Sequence, residues 1–71
     1  MKGRITRLID DQQLGVIAAE DGIDYLFESR SLLGTTFGML HVGAPVTFVA
    51  NPATKRASIV RIAVPKIERP G

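Results

Sequence analysis

The chain has 71 residues, no Cys, and a formal net charge of +2 at pH 7. This length suits one small domain and excludes a two-domain enzyme. Without Cys there are no disulfides and no thiolate-bound zinc, so the apolar residues, 45% of the chain, must hold the fold together. The small net charge does not by itself indicate nucleic-acid binding.

Short runs rich in Ile, Val, Leu and Phe, separated by turn residues, predict strands in the first half of the chain. The first strand is predicted over Gly3–Ile9 and the second over Leu14–Ala19. The pair Asp21-Gly22 then predicts a hairpin turn. In the third strand, which ends at Glu28, a period of two predicts three inward side chains. These are Ile23, Tyr25 and Phe27.

The second half begins with a glycine-rich connection over residues 29–43, with one helical turn predicted at 31–33. A fourth strand is predicted over Pro45–Ala50 and a fifth over Arg56–Val64, joined by a turn that begins with Asn51-Pro52. The residues predicted to face the core here are Val46, Phe48, Val60 and Ile62.

Five strands with a long connection between the third and the fourth are typical of an OB-type barrel. We therefore predict an all-β fold, a five-stranded antiparallel Greek-key barrel that is partly open. The predicted domain covers residues 1–64, and a proline-containing tail covers residues 65–71.

Several short motifs follow one another along the chain. They are Gly3-Arg4-Ile5, Gly15 with Ile17, Glu20-Asp21-Gly22, Asp24 with Ser31-Leu32, Val42-Gly43, Val46-Thr47-Phe48 and Lys55-Arg56-Ala57-Ser58-Ile59-Val60. Their order and spacing from residue 1 to about 62 resemble the cold-shock domain family. The resemblance implies binding of single-stranded RNA or DNA, with bases stacked on aromatic side chains on the outer faces of strands one to three.

The stacking residues of that family are replaced in this chain. The family motif K-G-F-G-F-I corresponds to Gln12-Gln13-Leu14-Gly15-Val16-Ile17, and V-F-V-H-F corresponds to Tyr25-Leu26-Phe27-Glu28-Ser29. Arg7 stands where the family has a tryptophan. Stacking a base on an aromatic ring is worth about 1 to 3 kcal/mol, so these replacements predict much weaker binding than in the family.

The remaining basis for binding is electrostatic, since Arg7 can stack on a base and neutralise a phosphate. Together with other cations it predicts a modest basic strip, although the same charges also suit an ordinary solvated surface. We predict weak, mainly electrostatic binding of single-stranded RNA or DNA. The predicted binding residues are Lys2, Arg4, Arg7, Gln12, Leu14, Val16, Leu26, Lys55 and Arg56.

The aliphatic replacements allow a second hypothesis. Leu14, Val16 and Leu26 are predicted to lie together on the outer sheet face, and an exposed aliphatic patch is typical of a protein contact. The patch would suit a homodimer or another protein partner. Arg7, Gln12 and Glu28 can equally divide it into single exposed residues.

No catalytic, metal or cofactor site is predicted. His41, the only His, has no Cys or acidic neighbour at metal-ligand spacing, and the acids at residues 10, 11, 20 and 21 fall in turns. Residues 34–38 lack the ending of a phosphate-binding loop. Without an apolar run of about 18 residues or an export signal, we expect a cytoplasmic protein that does not span a membrane.

Overall fold

The computed structural model describes residues 1–63, which contain five strands. The bounds of the second strand are as predicted, and those of the others differ by one or two residues. The strands are β1 (Lys2–Ile9), β2 (Leu14–Ala19), β3 (Asp24–Glu28), β4 (Pro45–Asn51) and β5 (Arg56–Ile62). Val64, the predicted end of the last strand, and the predicted tail over 65–71 lie outside the described residues.

The strands form a closed barrel in the order β1-β2-β3-β5-β4, with β4 pairing back onto β1. This confirms the all-β, five-stranded barrel. A ring with an odd number of strands cannot be antiparallel throughout, so one neighbouring pair must be parallel. That pair is β3 with β5, where Leu26 lies opposite Arg56. The barrel is therefore closed rather than partly open, and one of its strand pairs is parallel.

The inward side chains form one core. Tyr25, Phe27, Val46, Phe48 and Val60 are all buried, as predicted from the period of two in their strands. Ile23 and Ile62, also predicted to face inward, are partly buried against this cluster. Fully burying a side chain of this size stabilises the fold by about 1.5 to 3 kcal/mol, so the core compensates for the missing disulfides.

The connection between β3 and β4 contains two short 3₁₀ turns, Ser29–Ser31 and Phe37–Met39. The predicted helical turn at 31–33 thus lies two residues earlier, and the second turn was not predicted. Phe37 is buried, with its ring centroid 6.5 Å from that of Phe27. The connection therefore contributes to the core rather than only linking two strands.

Two strands carry bulges that change which residues face inward. In β1 the register with β2 shifts between Ile5 and Arg7, and the register of β5 with β4 shifts between Ser58 and Arg61. Ile59, at the second shift, has a φ of 50°, which is rare for a β-branched residue. The two bulges bend their strands and increase the local twist, as closure of a small barrel requires.

Gly15 is buried on β2 directly opposite Phe27. A Cβ atom at this position would lie 2.4 Å from two atoms of the Phe27 ring. Because that ring is fully buried in the core, it has little freedom to move away. Residue 15 must therefore be glycine for the ring to pack against β2.

Gly15→Ala should lower the free energy of unfolding by about 1 to 3 kcal/mol, since it overpacks the core. Urea denaturation followed by circular dichroism measures this change. Gly38→Ala is the matched control, because a Cβ there meets no atom within 4 Å and no positive φ is involved. Equal stability of the two variants would contradict the proposed packing of Phe27 on Gly15.

Asp21 organises the hairpin between β2 and β3. One carboxylate oxygen accepts the Ile23 N–H at 2.9 Å, and the other accepts the hydroxyl of buried Tyr25 at 2.8 Å. The bond from the Ile23 N–H holds the pKa of Asp21 below its ordinary value, and the Tyr25 bond acts in the same direction. Burial raises the pKa of Tyr25, and its bond to Asp21 raises it further.

Because the folded-state pKa of Asp21 is depressed, its contribution to stability is complete above the ordinary pKa of 3.8 and is lost as the pH falls through the folded-state value. Asp21→Asn should therefore be less stable than the parent chain near neutral pH. The difference should shrink toward roughly pH 3. Urea midpoints across this pH range measure it.

Asp11→Asn is the control, at an exposed turn position without a side-chain hydrogen bond among residues 1–63. This variant should differ little from the parent at any pH. A gap between Asp21→Asn and the parent that stays constant down to roughly pH 3 would show that the charge of Asp21 is unimportant.

Candidate nucleic-acid interface

The outer faces of β1, β2 and β3 form one surface, on which the strand register sets the neighbours of each residue. Val16 lies between Arg7 of β1 and Leu26 of β3, and Leu26 in turn lies opposite Arg56 of β5. Four predicted site residues from four strands thus form one row across the sheet. The register of strands two and three agrees with the predicted outward positions of Val16 and Leu26.

The bulge in β1 determines the direction of Arg7. Strict alternation from buried Ile5 would turn Arg7 into the barrel. The register shift places Arg7 opposite outward-facing Val16 instead, and Leu8 packs against the core. Arg7 is exposed as a result. An irregularity in the strand therefore places the guanidinium on the outer surface.

The turn between β4 and β5 positions the other two cations. The Asn51 side chain accepts the Ala53 N–H, and the Asn51 carbonyl accepts the Lys55 N–H at 2.7 Å. Lys55 adopts a φ of 57°, and its own carbonyl accepts the Leu26 N–H at 2.9 Å. The turn is thereby attached to β3, which places Arg56 in the row described above and Lys55 beside it.

These residues line a shallow groove of about 580 Å³, here called the β3–β5 groove. Its floor includes the aliphatic side chains of Val16 and Leu26, and its lining contains three cations and one carboxylate. The charged residues are Arg7, Lys55, Arg56 and Asp24. An open groove with an aliphatic floor and cationic walls suits an extended anionic ligand.

Glu28, at the end of β3, forms ion pairs with two arginines. Its carboxylate is hydrogen-bonded to the Arg56 guanidinium, and its other oxygen lies 2.9 Å from Arg30 Nε. The Glu28 side chain is only 26% exposed, whereas the exposed fractions of Arg30 and Arg56 are 85% and 49%. A partly buried carboxylate therefore holds one of the groove cations.

The predicted basic strip is divided in two. Lys2 and Arg4 line a separate groove of about 490 Å³ formed with the end of β2 and the start of β4. The Arg4 guanidinium donates to the Gly43 carbonyl at 3.1 Å. Only Arg7, Lys55 and Arg56 of the five predicted cations line the β3–β5 groove.

Gln12 and Leu14 also lie away from the lining of the β3–β5 groove. Gln12 is exposed in the 3₁₀ turn Asp10–Gln12 that follows β1. Leu14 lies opposite Ile9 on one side and Glu28 on the other. Both residues adjoin the outer sheet face without contributing to the row around Val16.

The aliphatic patch is less exposed than the sequence suggested. Leu14, Val16 and Leu26 do share the outer face, but each is half-buried by its neighbours. Leu33 and Ile59 have larger exposed fractions and line a different groove with Arg30. The area that the predicted patch can offer to a partner is therefore limited.

Asp24, Arg30 and Thr54 were not among the predicted site residues, although Asp24 and Thr54 line the β3–β5 groove and Arg30 pairs with Glu28. The period of two in β3 could have indicated Asp24 as a site residue, because it places that side chain on the outer face. No local pattern indicates Arg30 or Thr54, since their positions depend on a 3₁₀ turn and on the pairing of distant strands.

Residues 1–63 contain no cluster of three or more His, Asp or Glu side chains that could hold a metal ion. His41, which was predicted to be a loop residue and not a metal ligand, is exposed in the connection between β3 and β4. Within the same residues there is also no helix long and apolar enough to cross a membrane.

No known family model matches the chain, and no curated protein is similar enough to count as a match. A role for the β3–β5 groove must therefore be argued from its own geometry and charge.

Proposed function

We propose that this protein is a non-catalytic module that binds single-stranded RNA or DNA weakly, through the β3–β5 groove. The observation that carries the proposal is the convergence of Arg7, Lys55 and Arg56 around the aliphatic floor formed by Val16 and Leu26. The sequence resemblance to the cold-shock domain family, and the five-stranded barrel, support the same class of ligand. A cytoplasmic location is part of the proposal.

The groove chemistry favours phosphate contacts over base recognition. Guanidinium and ammonium groups bind phosphates of any sequence, and the aliphatic floor offers apolar contact without the π-face that stacking requires. The planar guanidinium of Arg7, beside the floor opposite Val16, can both stack on a base and neutralise a phosphate, whereas that of Arg56 is held by Glu28. Binding should therefore depend strongly on salt and little on the base.

The affinity for fluorescent oligo-dT and oligo-U should fall linearly with salt on logarithmic axes. Three phosphate contacts predict a slope of roughly −2, because each contact to a single strand contributes about −0.7. Arg7→Ala should weaken binding about fivefold and reduce the magnitude of the salt-dependence slope by about 0.7. Titrations between about 50 and 200 mM salt measure both effects.

Arg61→Ala is the matched control, because Arg61 is an exposed arginine on β5, opposite Thr47, and does not line the β3–β5 groove. It removes the same charge and should change affinity much less than Arg7→Ala. Equal effects of the two substitutions would show that binding responds to total charge alone. Binding that is insensitive to salt would contradict the proposed mode.

The second candidate function is a protein-interaction module, including a homodimer, that uses Leu14, Val16 and Leu26. Its support is that the three side chains share one outer face. The half-burial of these side chains argues against this function, because little of their apolar area remains for a partner to remove from water. The oligonucleotide proposal therefore has the stronger support.

Leu26→Lys distinguishes the two candidates. The side chain is half-buried between Val16 and Arg56, so we expect a loss of stability of about 1 kcal/mol, which urea denaturation measures. A nucleic-acid binder should bind oligo-dT as tightly as before or more tightly, because a cation is added to the groove. An interaction module should instead lose its self-association by sedimentation. A dimer that Leu26→Lys dissociates, without oligonucleotide binding, would favour the second function.

A further inference from the structure

The Glu28 carboxylate bridges two arginines that line different grooves. Arg56 lines the β3–β5 groove, and Arg30 lines the neighbouring groove with Leu33 and Ile59. Glu28 forms ion pairs with both arginines at once. Both carboxylate oxygens are therefore engaged, one with each guanidinium.

A carboxylate and a phosphate compete for the same donors of a guanidinium, because both accept its parallel N–H groups. A phosphate on Arg56 would also lie close to the negative charge of Glu28. Since the Glu28 side chain is only 26% exposed and is fixed at the end of a strand, it is less free to withdraw than the arginines. The arginines must then exchange partners when an anion arrives.

We propose that Glu28 sets the affinity of the interface by occupying Arg30 and Arg56 in the free protein, in competition with the phosphates of a single strand. This inference rests on the proposed function. In this proposal, Arg56 contributes to binding only after its ion pair with Glu28 opens. The competition also joins the two grooves into one path, because release of Glu28 frees a cation in each of them.

The test compares Glu28→Gln with Asp24→Asn in titrations of oligo-dT. Asp24 is the matched control, since it is an exposed carboxylate on the same face of β3 and takes part in no ion pair within residues 1–63. Glu28→Gln should raise affinity about three- to tenfold and steepen the salt dependence by up to about 0.7, the contribution of Arg30, because Arg56 is already one of the three phosphate contacts of the parent chain. Asp24→Asn should raise affinity less and leave the steepness unchanged.

Arg56→Gln provides the second arm. The gain from Glu28→Gln should be clearly smaller in the Arg56→Gln background, where only Arg30 is left to be freed, whereas any gain from Asp24→Asn should persist there in full. Denaturation curves establish that each variant is folded, and Glu28→Ala should change affinity in the same direction as Glu28→Gln. Dependence of the Glu28→Gln effect on Arg56 is expected only if Glu28 holds that arginine.

The outcomes separate this inference from the proposed function. If the parent chain binds oligo-dT and Glu28→Gln binds it equally or more weakly, Glu28 positions Arg56 for the ligand and the competition is disproved. A gain that equals that of Asp24→Asn and is undiminished in the Arg56→Gln background would also disprove it. If neither the parent chain nor Glu28→Gln binds oligo-dT at low salt, the proposed function fails and the inference fails with it.

Discussion

Closure of the five-stranded sheet is the constraint on which the other features depend. A sheet this narrow must bend sharply to meet its own edge, and bulges supply such bends by adding a residue to one strand. In each bulged strand, two successive inward residues are three positions apart rather than two. They are Ile5 and Leu8 in β1, and Ala57 and Val60 in β5. The odd number of strands then requires one parallel contact, which is the short pairing of β3 with β5.

The same constraint produces the candidate site. The β1 bulge turns Arg7 to the outer face, and the parallel contact brings Arg56 beside Leu26. At the β5 bulge, Ile59 takes a φ of 50° while Val60 returns to the core, so strain is borne by an exposed residue. The groove is thus a consequence of how the barrel closes, and its charges come from strands that are distant in sequence.

Local patterns were sufficient to predict the strands. The bounds of β2 and the inward phase of Tyr25 and Phe27 follow from alternation and from the Asp21-Gly22 turn. Gly15, which the sequence motifs singled out, lies where a Cβ atom would meet the Phe27 ring. The bulges were not predicted, although the three-residue spacing of Ile5 and Leu8 was a visible signal.

Interactions between distant segments could not be predicted in the same way. Phe37 lies in a glycine-rich connection whose local sequence gives no sign of burial, and its place in the core depends on Phe27. The ion pair of Glu28 with Arg56 joins residues 28 positions apart, across the parallel pairing of β3 with β5. A strand pattern assigns Glu28 to the outer face but cannot identify the cation that it meets there.

Inward and outward residues have separate roles in this protein. The core specifies the barrel whatever the outer face carries, so the outer residues can vary while the groove persists. What the groove then offers is a set of exposed cations on an aliphatic floor. The same cations also attract the protein's own carboxylates. In the proposed competition Glu28 acts on affinity directly, because a cation that it engages is unavailable to a phosphate, whereas Asp24, which forms no ion pair within residues 1–63, acts only through its charge.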